Sequence, residues 1–172
     1  MVTSSSFYNL SYSLMKEKDY ILILPDIRSA LNVGSIFRTA DAVGINKIYL
    51  VGYTPRPLDQ YNRVQKSIAK SALGAETWVK WEYKKTLTPL IKKLQKDGYN
   101  IIAIEQDKKA IDYRKIKIKN KTAFILGPEV LGLEKKTLAK VDQIIYIPMY
   151  GKKKSLNVSV ACGTALFRVL RP

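Results

Sequence analysis

An α/β fold with a mostly parallel sheet flanked by helices is predicted by three features of the sequence. Short apolar runs alternate with stretches of helix length along all 172 residues. Most of those runs are near-continuous Ile, Leu, Val and Tyr, the pattern of strands covered by helices on both faces. No linker, repeat or low-complexity block interrupts the alternation, so residues 1–172 are expected to form one domain.

The elements follow in order. A strand is expected at 20–24, then a helix at 32–43 that opens on Asn32, a good capping residue, and stops at Gly44. A strand at 47–51 precedes a helix at 64–73, which ends before Gly74. The run 77–81 reads as a strand, 86–97 as a helix stopped by Gly98, and 100–104 and 122–126 as strands. A short helix at 134–140, a strand at 143–147 and a helix at 157–170 complete the chain. The last helix carries Val158, Val160, Ala161, Ala165, Leu166, Phe167, Val169 and Leu170, with almost no polar face before Arg168 and Arg171. Such a helix is buried on more than one side. Tight internal packing and a partner subunit both satisfy it.

Composition removes whole classes of chemistry. With 47% hydrophobic and 26% charged residues, the chain is not wholly disordered. The lone Cys162 excludes an internal disulfide and a multi-cysteine metal site. Histidine is absent, which removes Ser-His-Asp triads, Cys-His dyads, His-ligated zinc and imidazole bases; no metal is expected. No apolar run approaches the ~18 residues of a membrane span. Residues 1–12 lack the basic-then-apolar order of a secretory signal, so the expected compartment is the cytoplasm.

The net charge of +16 favours a polyanionic partner. Residues 1–60 carry a net of only +1, whereas 84–121 hold twelve basic against four acidic residues. The usual nucleotide loops are missing: no GxGxxG follows a strand, and the glycine spacing Gly127–Gly132 lacks the lysine that clamps a triphosphate.

Three segments remain too specific for generic loops. The first, Asn32-Val33-Gly34-Ser35-Ile36-Phe37-Arg38-Thr39, opens the first helix, with Asn32 in the cap and Arg38 in the second turn. A helix N-terminus beside an arginine suits phosphate, but from this segment alone an ordinary cap with a surface arginine is the better reading. The second, Gly127-Pro128-Glu129-Val130-Leu131-Gly132-Leu133, is a glycine turn at a strand end whose backbone is open to a ligand. The third runs from Ile147-Pro148-Met149 to Ser155-Leu156-Asn157-Val158-Ser159, from strand end into the last helix. Ligands of parallel sheets bind beyond the carboxyl ends of the strands, where the last two segments fall.

Together the three segments resemble the motifs of the SpoU/TrmH-type RNA 2′-O-ribose methyltransferases of the SPOUT superfamily. The resemblance spans nearly the whole chain and implies a C-terminal trefoil knot, a homodimer and S-adenosyl-L-methionine as cofactor. It implies cofactor contacts from Ile104, Gly127, Gly132, Ile147, Met149 and Leu156. It assigns the chemistry to Arg38, reaching toward the cofactor of the other subunit, with Asn32, Glu129, Ser155 and Asn157 in support. With no histidine present, Arg38 is expected to stabilise the developing alkoxide rather than remove its proton. One departure is Pro128, where the motif often carries Asn; proline removes a backbone donor. The implied substrate is tRNA or rRNA, held by the domain's own surface without a separate RNA-binding domain. The candidate surface is the basic stretch 84–121, the run 152–154 and the loop 52–63, with Tyr53, Tyr61, Trp81 and Tyr113 as stacking or core residues. Two other readings remain: a non-catalytic RNA-binding or assembly protein of this fold, and a base-methylating SPOUT enzyme.

Overall fold

A computed structural model describes residues 18–128 and 131–170. Among the described residues seven strands form one sheet: β1 (Asp19–Pro25), β2 (Lys47–Val51), β3 (Trp81–Lys84), β4 (Asn100–Ile104), β5 (Ile111–Asp112), β6 (Lys121–Leu126) and β7 (Gln143–Tyr146). Their spatial order is β3-β2-β1-β6-β4-β7-β5, and every pairing is parallel. The helices are α1 (Ala30–Val43), α2 (Lys66–Ala72), α3 (Ala75–Trp78), α4 (Leu87–Lys96), α5 (Lys135–Leu138) and α6 (Val158–Leu170).

The strand period divides the core into two layers. Leu22, Leu24, Ile48, Leu50, Ile102 and Phe124 face one way, onto α1, α2 and α6. Ile21, Ile23, Tyr49, Ile101, Ala123 and Ile125 face the other, onto Leu90, Ile91 and Leu94 of α4. Both faces are covered, which is why the strands read as continuous apolar runs. Among the described residues no helix is long and apolar enough to cross a membrane.

Several expected boundaries are corrected. The first helix is capped by Ser29, not Asn32: the Ser29 hydroxyl accepts the Asn32 N–H, and the helix starts at Ala30. Arg38 therefore lies in the third turn, not the second. The segment 77–81 is not a strand. Gly74, at φ 97°, caps the short α3, and the strand begins only at Trp81. Trp78 donates its indole N–H to Asp41 on α1, so a tertiary contact overrides the β-propensity of Thr77, Trp78 and Val79. The second helix starts at Lys66, because Val64 pairs with Leu58 in an antiparallel bridge. The expected helix at 134–140 contracts to α5, and β5 was not anticipated.

Gly34 sets the packing of α1 on α2. A Cβ there would stand 2.1 Å from Ser71 Oγ and 2.4 Å from the Ile68 carbonyl oxygen. Only hydrogen fits. Ser71 also donates its hydroxyl to the Leu31 carbonyl at 2.9 Å, locking the first turn of α1 to α2.

Candidate functional site

Because all strands are parallel, the loops after β4, β6 and β7 emerge at one edge of the sheet and enclose a cleft of about 260 Å³. Ile104, Leu126, Ile147 and Leu156 give it apolar walls. All six expected cofactor contacts, Ile104, Gly127, Gly132, Ile147, Met149 and Leu156, line it, as does Ser155. The turn after β6 is compact for a local reason. A Cβ on Gly127 would lie 2.8 Å from the Leu133 amide nitrogen, so only glycine lets the chain fold back so closely. Pro128 contributes an acceptor to this turn, its carbonyl taking the Gly132 N–H at 3.0 Å. Gly132 itself holds φ 63°, and a Cβ there would meet Glu105 Oε2 at 2.6 Å.

The first and third segments meet at the amino end of α6. Asn157 donates its side-chain N–H to Asn32 Oδ1 at 3.2 Å across 125 residues of sequence. Asn157 Oδ1 accepts the Ser159 amide at 2.9 Å and the Ser159 hydroxyl at 2.7 Å, which fixes the amide's orientation. Asn157 thus both starts α6 and ties it to α1, next to the cleft residues Leu156 and Val158. Arg38 is not with them. It is exposed on α1, about 9 Å along the helix axis from Asn32, and does not line its own chain's cleft. Glu129 lies outside the described residues.

The SpoU rRNA Methylase family matches the chain over residues 19–167, from β1 into α6. The chain belongs to this family. The tRNA (guanosine(18)-2′-O)-methyltransferase of Escherichia coli (strain K12) is 31% identical over 156 residues, covering 91% of this chain and 65% of the relative. The enzyme of that name from Thermus thermophilus is 30% identical over 156 residues, 91% of this chain and 76% of its own. Among solved structures, the AdoMet-bound rRNA methyltransferase from Sinorhizobium meliloti superposes with a TM-score of 0.77 at 26% identity, covering 90% of this chain and 56% of that one. The chain therefore spans just under two thirds of the E. coli relative.

In this member of the SpoU family, Glu105 and Gln106 are cleft residues that sequence reading missed. Glu105 Oε2 accepts the Leu133 amide at 2.8 Å, so a carboxylate at the end of β4 holds the turn after β6. Gln106 donates to the Ile147 carbonyl at 2.8 Å and holds the end of β7. The available signal was position: both directly follow an apolar strand, where α/β sheets place ligand contacts. Among the described residues no group of three or more His, Cys, Asp or Glu side chains is placed to hold a metal ion.

The expected RNA-facing residues divide. Tyr53 and Tyr61 are exposed, whereas Trp81 and Tyr113 pack against the core. Part of the basic stretch is already paired: Lys84 with Glu82, Lys93 with Asp97, and Arg114 with Asp112. The Arg114 guanidinium holds the Asp112 carboxyl down at about 2, so that pair persists to low pH. Lys108, Lys109, Lys115, Lys117 and Lys119 are exposed and, among the described residues, stand outside the ion pairs, as does the run 152–154, of which Lys154 also lines the cleft.

Proposed function

We propose that the chain is an S-adenosyl-L-methionine-dependent methyltransferase acting on a ribose 2′-hydroxyl of tRNA or rRNA. The observation that carries this is the cleft beyond β4, β6 and β7, on which the second and third motif segments converge in a chain of the SpoU family. Its chemistry suits the cofactor. Apolar walls at Ile104, Ile147 and Leu156 fit an adenine ring, and the glycine-lined turn leaves room for backbone contacts. Glu105 adds a carboxylate, which favours a cationic ligand over a phosphorylated one.

Held there, S-adenosylmethionine would supply the sulfonium methyl group, the new O–CH3 bond to the ribose forming as the S–CH3 bond breaks to leave S-adenosylhomocysteine, with the hydroxyl proton passing to solvent water. The chain's part is positioning and electrostatics. Guanidinium groups do not act as bases near neutral pH, so Arg38 stabilises the developing alkoxide and a neighbouring phosphate. Asn32 and Asn157, joined at 3.2 Å, orient the rim; Ser155 supports the third segment's loop, and the family resemblance assigns Glu129 either to the second loop or to Arg38.

Arg38 lies outside its own cleft, which favours a homodimer in which it serves the partner's. The outer face of α6 supports this, because Val160 and Phe167 are about half exposed while Cys162, Ala165 and Leu166 are buried beneath them. We further infer that the segment from β7 into α6 threads to form a trefoil knot, that residues 1–172 form one domain gripping RNA with its own surface, and that the protein works in the cytoplasm. Replacing Arg38 with Ala tests the assignment. The expected result is unchanged S-adenosylmethionine affinity by calorimetry with methyl transfer reduced about 10²–10³-fold or more. Retained turnover removes Arg38 from the mechanism. A wild-type chain that does not bind S-adenosylmethionine favours a non-catalytic RNA-binding protein, and methyl groups found on bases favour a base-modifying enzyme.

A further inference from the structure

A second cleft opens on the same edge of the sheet, beyond the carboxyl ends of β2 and β3, with a volume of about 600 Å³. Its lining is cationic and aromatic. Arg56, Arg63 and Lys66 face a single carboxylate, Asp59, beside the rings of Tyr53 and Tyr83. Asp59 is already engaged. Its Oδ1 accepts the backbone N–H groups of Tyr61 at 2.8 Å and Arg63 at 3.0 Å, and its Oδ2 accepts Arg63 Nε at 2.7 Å. That carboxylate orders the loop and neutralises Arg63. Among the described residues, neither Arg56 nor Lys66 joins an ion pair.

The aromatic groups are built for a flat ligand. The Arg56 guanidinium lies 4.6 Å from the Tyr83 ring centroid, a stacked pair whose outer face is a cationic plane. Tyr53 is 88% exposed, yet its backbone is fixed. Its N–H donates to Asp26 Oδ1 at 2.9 Å. Next to it, the buried Thr54 hydroxyl donates to the Leu24 carbonyl at 2.6 Å and accepts the Ile27 N–H at 3.0 Å. A ring held out from so firm a base loses little freedom when a planar group covers it.

We propose that this cleft is a subsite for an unpaired nucleotide of the RNA substrate, its base stacked on the Tyr53 and Arg56–Tyr83 faces and its phosphate met by Lys66. The inference rests on the methyltransferase reading and extends it to how the substrate is chosen. Strands in a sheet lie about 4.8 Å apart, so the ends of β2 and β6, two strands apart, are separated by about 10 Å. One RNA strand laid along this edge, across the end of β1, reaches both clefts. In a duplex the base faces are covered by their neighbours, so this subsite selects single-stranded RNA flanking the methylated ribose.

The test uses the full chain and a short oligouridylate carrying 4-thiouridine. Photo-crosslinks to the wild type should map by mass spectrometry to Tyr53, Tyr83 or their immediate neighbours. Arg56→Ala and Tyr53→Ala should each weaken binding of the oligonucleotide about tenfold. Arg56→Lys should not restore it, since the charge returns without the plane. Thermal melting and S-adenosylmethionine affinity should stay at wild-type values in all three variants. Crosslinks elsewhere, unchanged affinity in both alanine variants, or equal competition by a blunt RNA duplex would overturn the subsite. If the wild type takes up no S-adenosylmethionine and transfers no methyl group, the enzymatic reading fails instead, and the crosslinks still decide whether the cleft holds a nucleotide.

Discussion

Gly132→Ala probes the cleft through two costs that can be separated. The residue sits at φ 63°, a left-handed backbone that costs a residue with a Cβ roughly 1–2 kcal/mol. The new methyl carbon would also stand 2.6 Å from Glu105 Oε2. Glu105 must then swing away and release the Leu133 amide that it accepts at 2.8 Å. A hydrogen bond to a charged acceptor contributes about 1.5–3 kcal/mol when well formed; Glu105 is partly exposed, and water offsets about half of the loss. A destabilisation of about 2–3 kcal/mol is expected, which for a chain of this size lowers Tm by about 4–12 °C. Since Glu105 and Gly132 both line the cleft, S-adenosylmethionine affinity should fall at least about tenfold. Thermal melting and calorimetry on Gly132→Ala, Glu105→Ala and the double variant give a double-mutant cycle. Part of the Gly132→Ala cost should vanish once the carboxylate is gone. Strictly additive effects, or full cofactor affinity in the single variant, would refute this account of the turn.

Two further outcomes follow from packing and burial. Gly34→Ala should destabilise by about 1–3 kcal/mol or more in urea titration, since the Ile68 carbonyl at 2.4 Å is backbone and cannot yield; an unchanged midpoint would contradict the close approach of α1 and α2. Burial pushes the Cys162 thiol up to about 12. Above pH 9 the unfolded chain gives up a proton that the folded chain keeps, so the stability from this group falls between pH 9 and 12 by at most about 1.4 kcal/mol per unit. Denaturation midpoints of the wild type should therefore drop more steeply over that window than those of Cys162→Ala; parallel curves would mean that the thiol is not held neutral.

The parts of this fold legible in sequence are those with one dominant local cause. Strands β1, β2, β4 and β6 are buried on both faces, so their sequences are apolar at nearly every position and their bounds could be read almost directly. The misread segment at 77–81 had strand-like residues, but a left-handed Gly74 and the Trp78–Asp41 contact decided its conformation, and neither is local to that pattern. Two-residue β5 is too short to carry any period. Asn32 and Ser29 are both good caps three residues apart, and choosing between them takes the geometry of the first turn. The site divides in the same way. Its glycines and Asn157 were visible as a pattern of types and spacings, and the structure brings Asn157 to Asn32. Glu105 was not visible, because its meaning lies in the Leu133 amide, 28 residues further on.

The most direct test of the central claim follows a labelled methyl group. The purified chain is incubated with S-adenosylmethionine labelled on that methyl, together with bulk tRNA and rRNA from cells lacking the protein. The RNA is then digested to nucleosides and separated. Label confined to 2′-O-methylated nucleosides is the predicted result. Label on a base, or none on either RNA while the chain binds both cofactor and RNA, would contradict ribose methylation as its activity.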